Sequence, residues 1–329
     1  MKYLLILAIP IILLISCDFS TEPIPYYTDT IAISDIDGSN LKSLCEHNGE
    51  IPYFIPNLTN PEGEELILLD SSSKIEVMNL DGTNRHTIID TLGSVANFSA
   101  DRTKMLLNKN GEIYMANVDG SNLINLTNTP DIWEKDPAFS LDNAKIVYSY
   151  STENNTHAFL VIKNIATNIN EIVFDYKIRN NYRIISFNYP TYISDNKIIY
   201  EFYLRTLIDD QNLIRNELHQ VDINNNEMEI LIDYEKVYKL VYSNELNYSV
   251  LKIANKSILI DMTNLEQIYS FENTSYDTPM VFSTDGNFVS VGHVIYDIKS
   301  NLKYYVYTNY NSINQTNNKI VGVANRYYE

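Results

Sequence analysis

Asn117-Val118-Asp119-Gly120-Ser121-Asn122, and then Asp136-Pro137-Ala138-Phe139-Ser140-Leu141-Asp142-Asn143-Ala144-Lys145-Ile146-Val147-Tyr148, form the stretch on which the fold turns. The first half is a hairpin written in residues. Asp-Gly between two apolar runs is a strong turn signal, because glycine accepts the positive φ that a tight hairpin demands. The second half joins an aromatic residue and a serine to an Asp-Asn turn, and the turn leads into a β-rich run. One hairpin of each kind makes a four-stranded unit.

Both kinds recur along the chain. The Asp-Gly hairpin is clear at 31–44, 75–89 and 113–126, turning at Asp37-Gly38, Asp81-Gly82 and Asp119-Gly120. Degenerate copies follow at 159–174, 218–232, 258–271 and 294–307. The serine unit is clear at Phe98-Ser99, Phe139-Ser140, Ile193-Ser194 and Phe282-Ser283, and weaker at Tyr242-Ser243, 58–63 and 317–321. The two kinds alternate strictly. The period is about 40 to 50 residues, the size of a propeller blade. An isolated blade cannot bury both its faces, so blades must stack around an axis. The chain opens with the Asp-Gly hairpin alone and ends on the serine half alone. Joining these halves in one blade closes a ring and hides two sheet edges that would otherwise invite aggregation. The expectation is one all-β domain over 30–329, a β-propeller of four-stranded antiparallel blades. Seven blades are expected, with six or eight as the alternatives.

The Asn-x-Asp-Gly-Ser-Asn-x-x-x-Leu-Thr run at 117–127 and the Pro-x-Phe-Ser-x-Asp-x-x-Lys-Ile run at 137–146 resemble the TolB-type, WD40-like β-propeller repeat. The resemblance is strong to about residue 150 and at 279–288, and weak between. It implies the fold and little about function. TolB carries an extra N-terminal domain for which this chain has no room, so a role in its envelope system is not implied.

The N-terminus has its own reading. Lys2 precedes an almost wholly apolar run, 3–15, too short to span a bilayer, which takes about 20 residues. Leu14-Ile15-Ser16-Cys17 resembles the lipobox of bacterial lipoproteins. Residues 1–16 are therefore expected to be a cleaved signal peptide, with Cys17 the lipidated first residue and 17–29 a tether. This places the protein in the cell envelope, held to a membrane by lipid alone. Cys45 is the one other cysteine, so the mature chain has no disulfide to form. It is read as a small half-buried residue. The net charge of −18 argues against nucleic acid and against a surface lying on anionic lipid.

Chemistry is sparse. The Asp-x-Asp-Gly turns lack the downstream ligands of a calcium loop and read as capped turns. The five histidines (His47, His86, His157, His219 and His293) form no zinc motif, and there is no Gly-x-Ser-x-Gly elbow. No catalytic, cofactor or metal residue is assigned, and whether the chain is an enzyme stays open. Three inter-blade loops carry the residue types of interface hot spots. Segment 127–136 holds Trp133, the single tryptophan. Segment 175–189 holds Lys177, Arg179, Tyr182 and Arg183, and 272–279 holds Tyr276. Segment 203–216 reads as an insertion within a blade. The expected function is a monomeric protein-interaction scaffold with an envelope protein as partner. The alternative is a propeller that binds or cleaves acidic glycans like a polysaccharide lyase. A channel lined by histidine and arginine would favour the alternative, and small or apolar lining the scaffold.

Overall fold

The structure is a computed structural model. It describes residues 28–35, 40–48, 50–59, 63–71, 73–90, 93–152, 157–177, 182–208, 211–234, 237–243, 247–253, 255–274, 278, 280–283, 286–305, 308–314 and 319–326. The expected signal peptide, Cys17 and most of the tether lie outside these residues. Thr28 and Asp29, expected in the tether, already belong to the first strand.

All regular structure among the described residues is β, in seven four-stranded antiparallel sheets. The first two strands, β1 (Thr28–Asp35) and β2 (Lys42–Glu46), wait for the last two. Six sheets then use four consecutive strands each. The first is β3 (Ile51–Thr59), β4 (Glu65–Asp70), β5 (Ile75–Asn79) and β6 (His86–Ile89). The second is β7 (Ser94–Phe98), β8 (Lys104–Lys109), β9 (Glu112–Asn117) and β10 (Ile124–Asn125). The third is β11 (Trp133–Phe139), β12 (Lys145–Ser151), β13 (His157–Asn164) and β14 (Asn170–Lys177). The fourth is β15 (Tyr182–Ser194), β16 (Lys197–Ile208), β17 (Gln211–Asp222) and β18 (Glu227–Tyr234). The fifth is β19 (Val237–Ser243), β20 (Tyr248–Ile253), β21 (Lys256–Asp261) and β22 (Glu266–Phe271). The sixth is β23 (Met280–Phe282), β24 (Phe288–Val291), β25 (Val294–Asp297) and β26 (Leu302–Tyr305). The seventh sheet is composite. Its order is β27 (Thr308–Asn314), β28 (Lys319–Arg326), β1, β2, with Thr28 opposite Arg326 and Asp35 opposite Lys319.

Packing follows from alternation. Successive side chains of a strand point to opposite faces, and here both faces are covered. In β4, Leu66 and Leu68 pack toward the second sheet, while Ile67 and Leu69 pack toward Ile31 and Val321 of the composite sheet. In β8, Met105 and Leu107 face one neighbour and Leu106 the other. That is why the middle strands read as unbroken apolar runs. Each such buried side chain stabilises the fold by roughly 1.5–3 kcal/mol. The clusters link every sheet to the next from the composite sheet through the sixth. β27 also contacts β23 of the sixth sheet and β3 of the first.

The recurrent motifs set the turns. Asn79 and Asn117 open identical hairpin loops. Asp81 Oδ1 accepts from Thr83 N–H and Oγ1–H, and Asp119 Oδ1 accepts from Ser121 in the same way. Gly82 and Gly120 hold φ of 89° and 83°, and Asn84 and Asn122 hold 55° and 56°. The aspartates are therefore turn caps, and these bonds hold both carboxyls below the usual range. The serine is the pivot of the other turn. Ser99 Oγ and Ser140 Oγ donate to Asp101 and Asp142, and accept from Lys104 N–H and Lys145 N–H.

One local expectation needs correction, and another takes a definite form. Segment 203–216, expected as an insertion within a blade, is an extended hairpin. It lengthens β16 and β17, which stay paired from Lys197 opposite Asp222 out to Ile208 opposite Gln211. Segment 175–189 is not a loop, since β14 runs to Lys177 and β15 starts at Tyr182. Alternating apolar residues in both stretches satisfied a strand, and the sequence read them as an interruption.

Candidate functional site

Strand polarity sorts the candidates onto one end of the molecule. In the second sheet, for example, the innermost strand and its partner join at the Ser99 turn, and the outer two join at the Asp119-Gly120 turn. Both turns lie at one end. The connections between sheets and the middle hairpin lie at the other, called here the entry end. Trp133 opens β11 there, Lys177 ends β14 there, and Tyr182 and Arg183 open β15 there. The β16–β17 hairpin projects from the same end, and β1 begins there at Thr28. Arg179 and Tyr276 lie outside the described residues.

Trp133 is 70 % exposed. It rests on backbone: a Cβ placed on Gly111 (φ 79°) would stand 2.8 Å from the indole ring. Gly111 O also accepts from Glu134 N–H at 2.7 Å, which ties the second sheet to the third. Trp133 thus has a fixed seat against a neighbouring blade and still presents most of its surface.

The innermost strands surround a central cavity of about 470 Å³. Its wall is mostly small or apolar, with Val95, Ala96, Ala138, Leu240 and Val281 among the lining residues. Arg102, Asp136 and Lys239 are its charged members. None of the five histidines lines it. His157 pairs with Asp175 at 2.6 Å near the entry end. His219 is buried, 2.7 Å from Glu217 and stacked on Phe202. His47 contacts Glu50 O, and His86 is exposed. Among the described residues no group of His, Cys, Asp and Glu is arranged to hold a metal ion. Cys45 is half-buried, its thiol pushed up by burial, with Arg85 Nη1 at 3.6 Å from Sγ.

Buried charge near the cavity is what sequence reasoning missed. Lys135 Nζ donates to Asn188 Oδ1 at 2.7 Å, and Asn188 Nδ2 donates to Glu201 Oε2 at 2.9 Å. Burial pushes Glu201 up to about 7, against the pull of Asn188 and Lys135. Burial also raises Asp136 and lowers Lys135. Asp136 and Tyr189 sit at bulges with φ of 51° and 52°, each just before a proline that has no N–H for the ladder. Asp70 is 3 % exposed; burial raises its carboxyl to about 7, although Oδ2 accepts from Val95 N–H at 3.0 Å. The available signal was a charge inside an apolar run, as in Leu68-Leu69-Asp70 and Ile199-Tyr200-Glu201.

No protein-family model matches the chain, and no curated protein does. Solved structures do. TolB from Acinetobacter baumannii is similar at 13 % identity and a TM-score of 0.51, over 84 % of this chain and 65 % of that one. This chain therefore spans less than two-thirds of that TolB. An oligogalacturonate lyase solved in complex with manganese is similar at 10 % identity and a TM-score of 0.58, over 85 % of each chain. Likeness at this level shows the fold alone. The class is a β-propeller with four-stranded antiparallel blades, of the TolB-like kind.

Proposed function

We propose that the chain is a lipid-anchored envelope β-propeller that docks a partner protein on its entry end. In this reading the composite sheet is the seventh blade and closes the ring. Cys17 carries the lipid after cleavage of 1–16. One observation carries the docking assignment: Trp133 is seated on Gly111 yet 70 % exposed, at the end from which the long β16–β17 hairpin projects. Exposed aromatic anchors on a rigid support supply much of the energy of protein interfaces. Tyr182 and Arg183, of the basic segment, open β15 on the same end; Arg179 and Tyr276, outside the described residues, complete the proposed set of docking residues. β1 starts on that end too. Eleven tether residues, 17–27, reach at most about 40 Å. The docking surface accordingly faces the membrane, and the partner is a protein lying at the membrane surface. No histidine lines the cavity, which supports the scaffold over the glycan-cleaving reading.

The test has two arms. Cys17→Ala is expected to move the protein from the membrane to the soluble fraction; retention on the membrane would contradict the anchor. Cross-linking in living cells should then yield one reproducible partner from the wild type, reduced at least 10-fold in Trp133→Ala. Equal recovery from both would remove Trp133 from the interface.

A further inference from the structure

β19 and β20 place two lysines directly opposite each other, Lys239 and Lys252. Both lie on the face that packs against the sixth sheet. Each is two residues from a valine, Val241 or Val250, that joins the cluster with Met280, Val289 and Val291. Like charges in opposed cross-strand positions repel, and burial sharpens the repulsion. Lys252 is wholly buried, at 0 % exposure. Its ammonium donates only to neutral oxygens: Thr274 O at 2.5 Å, Thr274 Oγ1 at 2.6 Å and Lys256 O at 3.3 Å. Lys239 lines the central cavity and has no hydrogen bond or ion pair among the described residues. Among the described residues no carboxylate pairs with either lysine, and burial pulls both ammonium groups down. The chain as a whole carries −18, so an unpaired cation on the cavity wall, with a second lysine buried opposite it on the neighbouring strand, runs against its surroundings.

We infer that the cavity wall between the fifth and sixth blades is a binding site for a small oxyanion, a phosphoryl or carboxylate group, held by Lys239 with the charge of Lys252 behind it. Lys239 supplies the free donors. Lys252 is fixed by its three oxygens and supplies field rather than contact, while Ser257 and Thr274, 3.0 Å apart at their hydroxyls, brace it. The cavity volume of about 470 Å³ lies within the range of small-ligand pockets. An anion bound at Lys239 offsets its desolvated positive charge, which has no ion pair among the described residues although Asp136 lines the same cavity. The site is independent of docking on the entry end.

The experiment is a thermal-unfolding titration of the lipid-free protein (Cys17→Ser) at pH 7 and constant ionic strength. Inorganic phosphate or acetate replaces chloride in separate arms. The expected result is a saturable rise in Tm of several degrees in at least one arm, which also identifies the group preferred. Lys239→Met should raise Tm in chloride, since it deletes a half-buried charge with no ion pair among the described residues, and should abolish the saturable rise. Lys239→Arg should keep it, and Lys252→Met should weaken it several-fold. A wild-type protein with no saturable rise in either arm, or a Lys239→Met variant that retains it, overturns the site.

Discussion

Asp70 holds an orphan oxygen. Its Oδ2 accepts from Val95 N–H, while Oδ1 is buried with no partner among the described residues. A carboxylate so placed is better protonated in the folded state than in water, which is why its pKa rises to about 7 from 3.8. The folded value lies above the unfolded one. The protonated carboxyl therefore contributes its full stability below about pH 4, and loses it as pH rises through about 7. Replacing Asp70 by Asn keeps the acceptor for Val95 and removes the charge. Urea unfolding of Asp70→Asn and wild type should give matched stabilities near pH 4. The variant should gain about 2 kcal/mol by pH 8. A difference that does not change with pH would mean that Asp70 is ionised without penalty. The turn residues are the opposite case. Asp81, Asp119, Asp101 and Asp142 all accept hydrogen bonds within their turns. These positions were legible in the sequence because turn chemistry is local. Asp70, Glu201 and Lys239 were not, because their environments come from strands far away in the chain.

The strands show how far local pattern reaches. The hairpins expected at 75–89, 113–126, 159–174, 218–232 and 258–271 are all present, as are the serine turns at Ser99, Ser140, Ser194 and Ser283. Alternation and Asp-Gly or Asn-rich turns suffice for that. Extension of the fourth blade was not legible. Tyr203 to Asn216 carries no turn signal until Asp209-Asp210, so the same residues satisfied an insertion or a longer hairpin. The long hairpin gives its own prediction. Phe202 and Leu204 are anchored in the core, but the strand ends beyond them reach out from the entry end. Replacing 206–213 by a two-residue Asn-Gly turn should lower Tm by no more than a few degrees and cut partner recovery as strongly as Trp133→Ala. A collapse in Tm would show that the extension belongs to the core; unchanged recovery would show that it does not meet the partner.

At the scale of the molecule, the docking proposal rests on where the first and last described strands meet. β1 enters the composite sheet between β28 and β2, so the first described strand is held by one of the last. That arrangement was legible in the two unpaired half-motifs at the ends, since a lone hairpin leaves edges exposed. It also puts the start of β1 on the same end as Trp133 and the β16–β17 hairpin. Function was hardly legible, because blades of one shape carry many activities and only the exposed residues differ. Closure is tested directly by a cysteine pair. Asp29 lies opposite Asn325 in the β1–β28 register. In a background of Cys17→Ser and Cys45→Ser, Asp29→Cys with Asn325→Cys should oxidise to an intramolecular disulfide and raise the stability by about 5 kcal/mol, the loop entropy of linking nearly the whole chain. Free thiols, or disulfide-linked dimers, after oxidation of the folded protein would contradict a ring closed by its own termini.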